Sequence, residues 1–382
     1  MLRQSRKRQS YVVTPKQNMT AELNDKILES VNSLMVEENR RTQMVFEKVS
    51  PLVNEIFGAL ANYDIRFEFA SLCLDSPNVE KIVENEYTVL CPLKELPENN
   101  LRLEGKVATG VLTVRLSRVY EDSIEKVCWA DITLPADSKG CQFFSTKKLL
   151  NVLIEAVKHA INDVIPSDEE NNNKDKSVTC KQRNDMAVLE IKVPGHCVKF
   201  NLLPCIPLNR EIMKSLAMEG RISRVTKHMG FTTTECAYLV AKPLTKHPET
   251  LWRITVNNIE NSVLSKICDL TECANHCLFA LTLMNEQFFT ENKNKGLVPY
   301  YLTRMAFLQE FLKFPNASYW KSGYFTARVE SLLRSFEGNV SKRDFKNIFT
   351  GVNIVAHREK DKLTQLTDDI ARVLSEFRRY FN

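Results

Sequence analysis

The chain has 382 residues, 43% of them hydrophobic and 26% charged, with a formal net charge of +5. Those fractions are ordinary for a soluble globular protein, the length gives room for two lobes, and the mild positive charge permits contact with phosphates without arguing for it. No run approaches the roughly 18 apolar residues needed to cross a bilayer, so no membrane role is expected. The eleven cysteines are odd in number and scattered without a repeating framework. The segment Met1–Ser10 lacks the apolar core of a signal peptide, and reduced thiols in the nucleus or cytoplasm are the economical expectation.

In chain order, Arg3, Arg6, Lys7 and Arg8 form a basic cluster in a segment without apolar periodicity. It reads as an import signal, a phosphate-touching arm or a disordered tail over residues 1–19. From Thr20 to Leu60 the spacing of Ile27, Val31, Leu34, Val45, Leu52, Ile56 and Leu60 predicts a long helix, with Pro51 kinking or breaking it near Ser50. Strand patterns follow at Arg66–Phe69, Val83–Leu90, Val111–Leu116 and Val127–Leu134. Ser145 or Thr146 caps a helix that buries Leu149, Leu150, Leu153, Ile154, Val157 and Ile161. Residues 166–185 begin with polar low-complexity sequence and are expected as a mobile loop. The strands Ala187–Val193 and Cys197–Leu203 are joined by a turn at Pro194–His196.

After Leu208 the pattern becomes helical, with apolar stripes in 262–284, 302–314, 324–336 and 363–377. The expected class is therefore α+β, with a mixed lobe over residues 20–208 and a helical lobe over 209–382.

The stretch Val83–Leu90 attracts chemical interest. Period-two alternation places Glu84, Glu86 and Thr88 on one face and Val83, Tyr87 and Val89 on the other. Two acids spaced along one strand face can hold magnesium over a triphosphate, although a solvated strand is the plainer reading. Lys147 and Lys148 open a helix, and Arg221, Arg224 and Lys227 form a second basic group; either set could grip a nucleotide or a nucleic-acid backbone, and solvated side chains would look the same. No Walker-type loop or dinucleotide fingerprint is present, and His196 has no recognisable nucleophile partner.

Several stretches, in this order, carry a likeness to a known family. They are Arg66-Phe67 with Ala70-Ser71-Leu72, Glu84–Leu90, Gly110–Leu116, Phe144–Leu150 and Glu249–Leu264. Together they resemble the male-abnormal-twenty-one (Mab) family, relatives of cyclic GMP-AMP synthase that share its two-lobed nucleotidyltransferase fold. The resemblance implies that Glu86 occupies the first metal-carboxylate position, that Thr88 replaces the second acid, and that Lys199 or Asn201 replaces the third. Ala70 stands where active relatives have the glycine that lets backbone approach a triphosphate.

A pseudo-enzyme without catalytic residues or cofactor is the resulting expectation, with Ser71, Glu86, Lys147 and Lys148 as candidate nucleotide contacts. Arg6, Lys7, Arg8, Arg221, Arg224 and Lys227 are candidate nucleic-acid contacts. The resemblance further implies a developmental role in cell fate and morphogenesis through protein partners, and nuclear location with a cytoplasmic fraction; homo-oligomerisation is an option that the sequence leaves open. Cyclic GMP-AMP synthase carries a zinc insertion near the position of Cys268, Cys273, His276 and Cys277, but here Cys273 and Cys277 have i, i+4 helical spacing, and buried helix thiols rather than a metal are expected. An active nucleotidyltransferase and a nucleic-acid-binding module are the alternatives.

Overall fold

A computed structural model describes residues 19–94, 101–116, 129–138, 140–165, 177–183, 186–241, 249–288, 300–356 and 359–381. The candidate contacts Arg6, Lys7 and Arg8 lie outside the described residues, as does most of the basic tail.

The first helix, α1 (Met19–Tyr63), runs unbroken through Pro51. Proline there removes one backbone donor and costs about 3 kcal/mol in a helix interior. Fully buried Val49, Val53, Ile56 and Leu60 flank it, and each contributes about 1.5–3 kcal/mol by leaving water. Tertiary burial therefore outweighs the local breaker. The N-terminal part of α1 reaches the helical lobe, where the Asn24 side-chain amide donates to the Gly323 carbonyl at 3.1 Å.

Among the described residues, ten strands form a branched mixed sheet. They are β1 (Val79–Val83), β2 (Glu86–Pro92), β3 (Leu101–Glu104), β4 (Val111–Leu116), β5 (Gln142–Phe143), β6 (Ser177–Arg183), β7 (Met186–Val193), β8 (His196–Pro207), β9 (Tyr238–Val240) and β10 (Leu251–Thr255). The twelve-residue β8 is central. It lies parallel to β2 on one side, and on the other it pairs antiparallel first with β7 and then with β9. One face of the sheet carries Tyr87, Phe200, Leu189 and Leu202 into the main core with α1 and α2 (Thr146–Val164). Tyr87 and Phe200 stack at 5.5 Å, and Phe46 of α1 meets Tyr87 edge-on at 5.6 Å.

The helical part comprises α3 (Arg210–Ser215), α4 (Met218–His228), α5 (Asn257–Leu270), α6 (Glu272–Phe288), α7 (Tyr300–Lys313), α8 (Phe325–Ser341) and α9 (Lys360–Phe381). The α+β class holds, and the architecture is that of a nucleotidyltransferase-like fold.

Four local expectations are corrected. Arg66–Phe69 is not a strand: Ile65–Phe67 forms a 3-10 turn capped by Asp64. Arg66 is buried, pairs with both Asp64 and Asp131, and lies 5.3 Å above the Trp129 ring. Asp131 itself sits in a second 3-10 turn, Ala130–Ile132, where a strand through Leu134 was expected. A long-range ion pair thus bends two segments whose composition favours strands. Residues 177–183, expected within a mobile loop, are β6, with Val178 and Cys180 buried on its inner face. The lobe boundary at 208 is also not clean, because β9 and β10 return to the sheet after α3 and α4.

Candidate functional site

The acid-bearing stretch is a hairpin rather than one strand. Val83 ends β1, Glu84 and Asn85 make the turn, and Glu86 starts β2. Asn85 adopts φ +58°, a left-handed conformation that asparagine tolerates better than most residues. Its carbonyl accepts the Lys199 backbone N–H at 2.8 Å, which fixes the register of β2 against β8. Glu84 leaves the expected strand face and pairs with Arg41 of α1.

In that register Glu86 lies opposite Lys199, and Thr88 opposite Asn201. All four share the sheet face turned away from Tyr87 and Phe200. The Asn201 side-chain amide donates to Glu86 Oε1 at 2.9 Å, and Thr88 is buried. Both residues expected to replace the third acid are therefore present beside Glu86, and Asn201 is the one that touches it.

Two further acids occupy this face. Glu190 of β7 lies opposite Lys199 on its other side, two strand spacings or roughly 10 Å from Glu86, and is approached by Arg183 at 3.7 Å and Lys192 at 4.0 Å. Glu80 of β1 lies opposite Thr88, but its carboxylate is bound by Arg304 of α7 and by the Asn257 side-chain amide at 2.6 Å. Paired hard divalent ions need several converging oxygens. One carboxylate with an N–H donor on it, a buried hydroxyl and an ammonium do not fit that requirement.

The remaining candidate nucleotide contacts are not gathered around Glu86. Ser71 lines a cavity of about 320 Å³ with Phe57, Phe69, Asn78, Leu90 and Pro92. This is the far end of β2, roughly 13 Å of strand from Glu86, and the turn is pinned by the Leu72 N–H on Asn54 Oδ1 at 2.6 Å. Lys148 spends its ammonium on the Thr133 carbonyl at 2.7 Å. Lys147 is exposed at the start of α2, which packs on the opposite sheet face. In the second basic group, Arg221 donates to the Ile348 carbonyl at 3.0 Å, while Arg224 and Lys227 are exposed.

Among Cys268, Cys273, His276 and Cys277, burial holds the Cys277 thiol well above its ordinary range and pushes Cys268 up to about 12. Burial also lowers the affinity of His276 for a proton. Among the described residues no group of three or more His, Cys, Asp or Glu side chains is arranged to hold a metal ion.

Sequence reading missed the polar network joining sheet to helices. Arg304, itself buried, bridges Glu80 and the Asn261 side-chain oxygen. Next to Asn261 on α5, wholly buried Glu260 accepts from the Asn347 side-chain amide at 2.7 Å, and that amide also donates to the Tyr301 hydroxyl at 2.6 Å. Burial pushes the Glu260 carboxyl up to about 7; Arg304 opposes this and Glu80 adds to it. Asn257, Glu260 and Asn261 at helical spacing, and an arginine inside the apolar run of α7, were the available signals.

No curated protein sequence matches the chain. The family model for the Mab-21 protein HhH/H2TH-like domain matches residues 273–372, from α6 into α9. The match covers about a quarter of the chain and supports membership of the Mab-21 family.

Proposed function

We propose that this protein is a catalytically inactive nucleotidyltransferase-fold member of its family, acting in development through protein partners or a bound nucleotide. The observation that carries the reading is the hydrogen bond from Asn201 to Glu86, with Lys199 beside it in register. Where active relatives need acids converging on metal, this chain spends its one central carboxylate on an amide. Loss of paired ions removes several kcal/mol of transition-state stabilisation, and each 1.4 kcal/mol is about tenfold in rate. The reading includes a nuclear pool with a cytoplasmic fraction, motivated by the basic cluster Arg3, Arg6, Lys7 and Arg8; alanine at all four should shift a fluorescent fusion out of the nucleus.

The central test is enzymatic. The purified chain is incubated with ATP, GTP, magnesium or manganese, and duplex DNA or RNA. The expected result is no cyclic dinucleotide above a Glu86→Ala control, and product that disappears in that control overturns the proposal.

A further inference from the structure

We propose that residues 68–72 and the cavity beside them dock an extended segment of a partner protein. The partner adds a strand to their main chain and seats one large apolar side chain in the cavity. This deepens the protein-partner reading above and rests on it.

The segment leaves the 3-10 turn Ile65–Phe67 with Glu68 in extended backbone, and it belongs to no helix or strand. It is pinned at both ends. Phe69 meets Phe57 and Phe67 edge-on at 5.5 and 5.9 Å, and Asn54 holds the Leu72 N–H. Between these anchors Ala70 and Ser71 are exposed. Among the described residues, no hydrogen bond reaches the main-chain N–H or C=O of Glu68, Phe69, Ala70 or Ser71. Four consecutive residues therefore hold donors and acceptors ready for a strand laid alongside. Because the anchors already fix the segment, docking orders little further backbone on this side.

The cavity lies between this segment and the end of β2. Its floor is apolar, formed by Phe57, Leu72, Val79, Val89 and Leu90, all buried. Its volume is about 320 Å³, at the small end of the roughly 300–1,000 Å³ usual for ligand pockets. That suits an aromatic or large aliphatic side chain. Glu68 and Lys94 also line it; both are exposed, and among the described residues neither forms an ion pair. A triphosphate would meet a repelling carboxylate and a single cation there. An extended peptide can carry a cation for Glu68 and an acid for Lys94 on either side of its apolar anchor.

Two segments of this chain are poor occupants. Residues 11–14, the most strand-prone of the N-terminal tail, have at most eight residues of chain before Met19, or about 28 Å. Phe57 lies 38 residues along α1 from Met19, about 57 Å away. The residues between Lys94 and Leu101 include Pro97, which has no N–H to give a ladder. A partner chain is the better match.

The test uses the purified full chain and randomised eight-residue peptides displayed on phage. Peptides bound by the native chain but rejected by Ala70→Phe, which blocks the cavity mouth from an exposed position, should share one aromatic or large aliphatic residue. Fluorescence anisotropy of one such peptide should show alanine at that anchor weakening binding about 10- to 100-fold. N-methylation of one alternate set of peptide amides should weaken it about threefold or more, while the other set, turned to solvent, tolerates the change. These two readouts leave the protein unaltered, so they stand whether or not Ala70→Phe disturbs the fold. Selection yielding no peptide sensitive to Ala70→Phe, an enriched set without a shared apolar position, or indifference to N-methylation at both sets would each overturn the proposal. So would self-association of the chain alone that Ala70→Phe abolishes, because the occupant would then be a second copy. None of these results alters the cyclic dinucleotide assay, so the two readings fail separately.

Discussion

Glu260→Gln tests the buried junction most directly. Glu260 is wholly buried on α5, and Oε2 finds no hydrogen-bond partner among the described residues. The nearby cation, Arg304, is already engaged by Glu80. Burial is the largest influence, and it moves the carboxyl from an ordinary 4.5 to about 7. At about 1.4 kcal/mol per unit, that displacement corresponds to roughly 3 kcal/mol. The sign follows from proton counting. Between those two values the folded state holds a proton that the unfolded state has lost, so stability contributed by Glu260 is full below about pH 4.5 and is lost as pH rises through 7.

Glutamine keeps the shape and cannot ionise. The variant should therefore match the native chain near pH 4 and exceed it by up to about 3 kcal/mol at pH 8. Urea unfolding at stepped pH measures both, and subtracting the two curves cancels every carboxylate they share. Parallel curves from pH 5 to 8 would mean that Glu260 is ionised or solvated in the folded protein, and the reasoning fails.

Three other outcomes are expected. Arg304→Met strands Glu80 in the junction and should cost about 3–5 kcal/mol by chemical denaturation, with part of that recovered when Glu80→Gln is added; a cost under 1 kcal/mol contradicts a buried pair. Thr88→Asp with Asn201→Asp crowds acids beside Glu86 and should lower stability by about 1–3 kcal/mol, and millimolar manganese should raise the melting temperature of the variant but not of the native chain. An equal response to manganese in both would show that these register positions do not converge. Gly351→Ala introduces a side chain at φ +78°, with its Cβ 2.7 Å from Arg221 Nη1, and should cost about 1–3 kcal/mol; adding Arg221→Ala removes the clash but leaves the backbone strain, so complete rescue by the double variant would refute the conformational part.

Much of the helical lobe was legible because its helices bury one stripe each. Leu363, Leu366, Ile370, Val373 and Phe377 repeat at helical spacing in the sequence and are all buried in α9. The hairpin β7–β8 was legible for the same reason at period two, with a Pro-Gly turn between its strands. The turn at Glu84 and Asn85 was not, because Val83, Tyr87 and Val89 keep one period-two phase across it, and only Asn85, polar at that phase and left-handed in its backbone, breaks the line. β6 was hidden by its polar outer residues and by the low-complexity sequence before it.

Sequence by itself determined the α+β class, the family likeness and the absence of acids at Thr88, Lys199 and Asn201, since these depend on residue identity and short-range spacing. Only the tertiary structure decided which of those residues meets Glu86, because Asn201 and Glu86 are 115 residues apart and are joined by strand register. It also decided that Arg221 holds the Ile348 carbonyl while Arg224 and Lys227 remain exposed, and that Glu80, Arg304 and Glu260 share one buried junction. Charges look alike along a chain; burial and partners distinguish them.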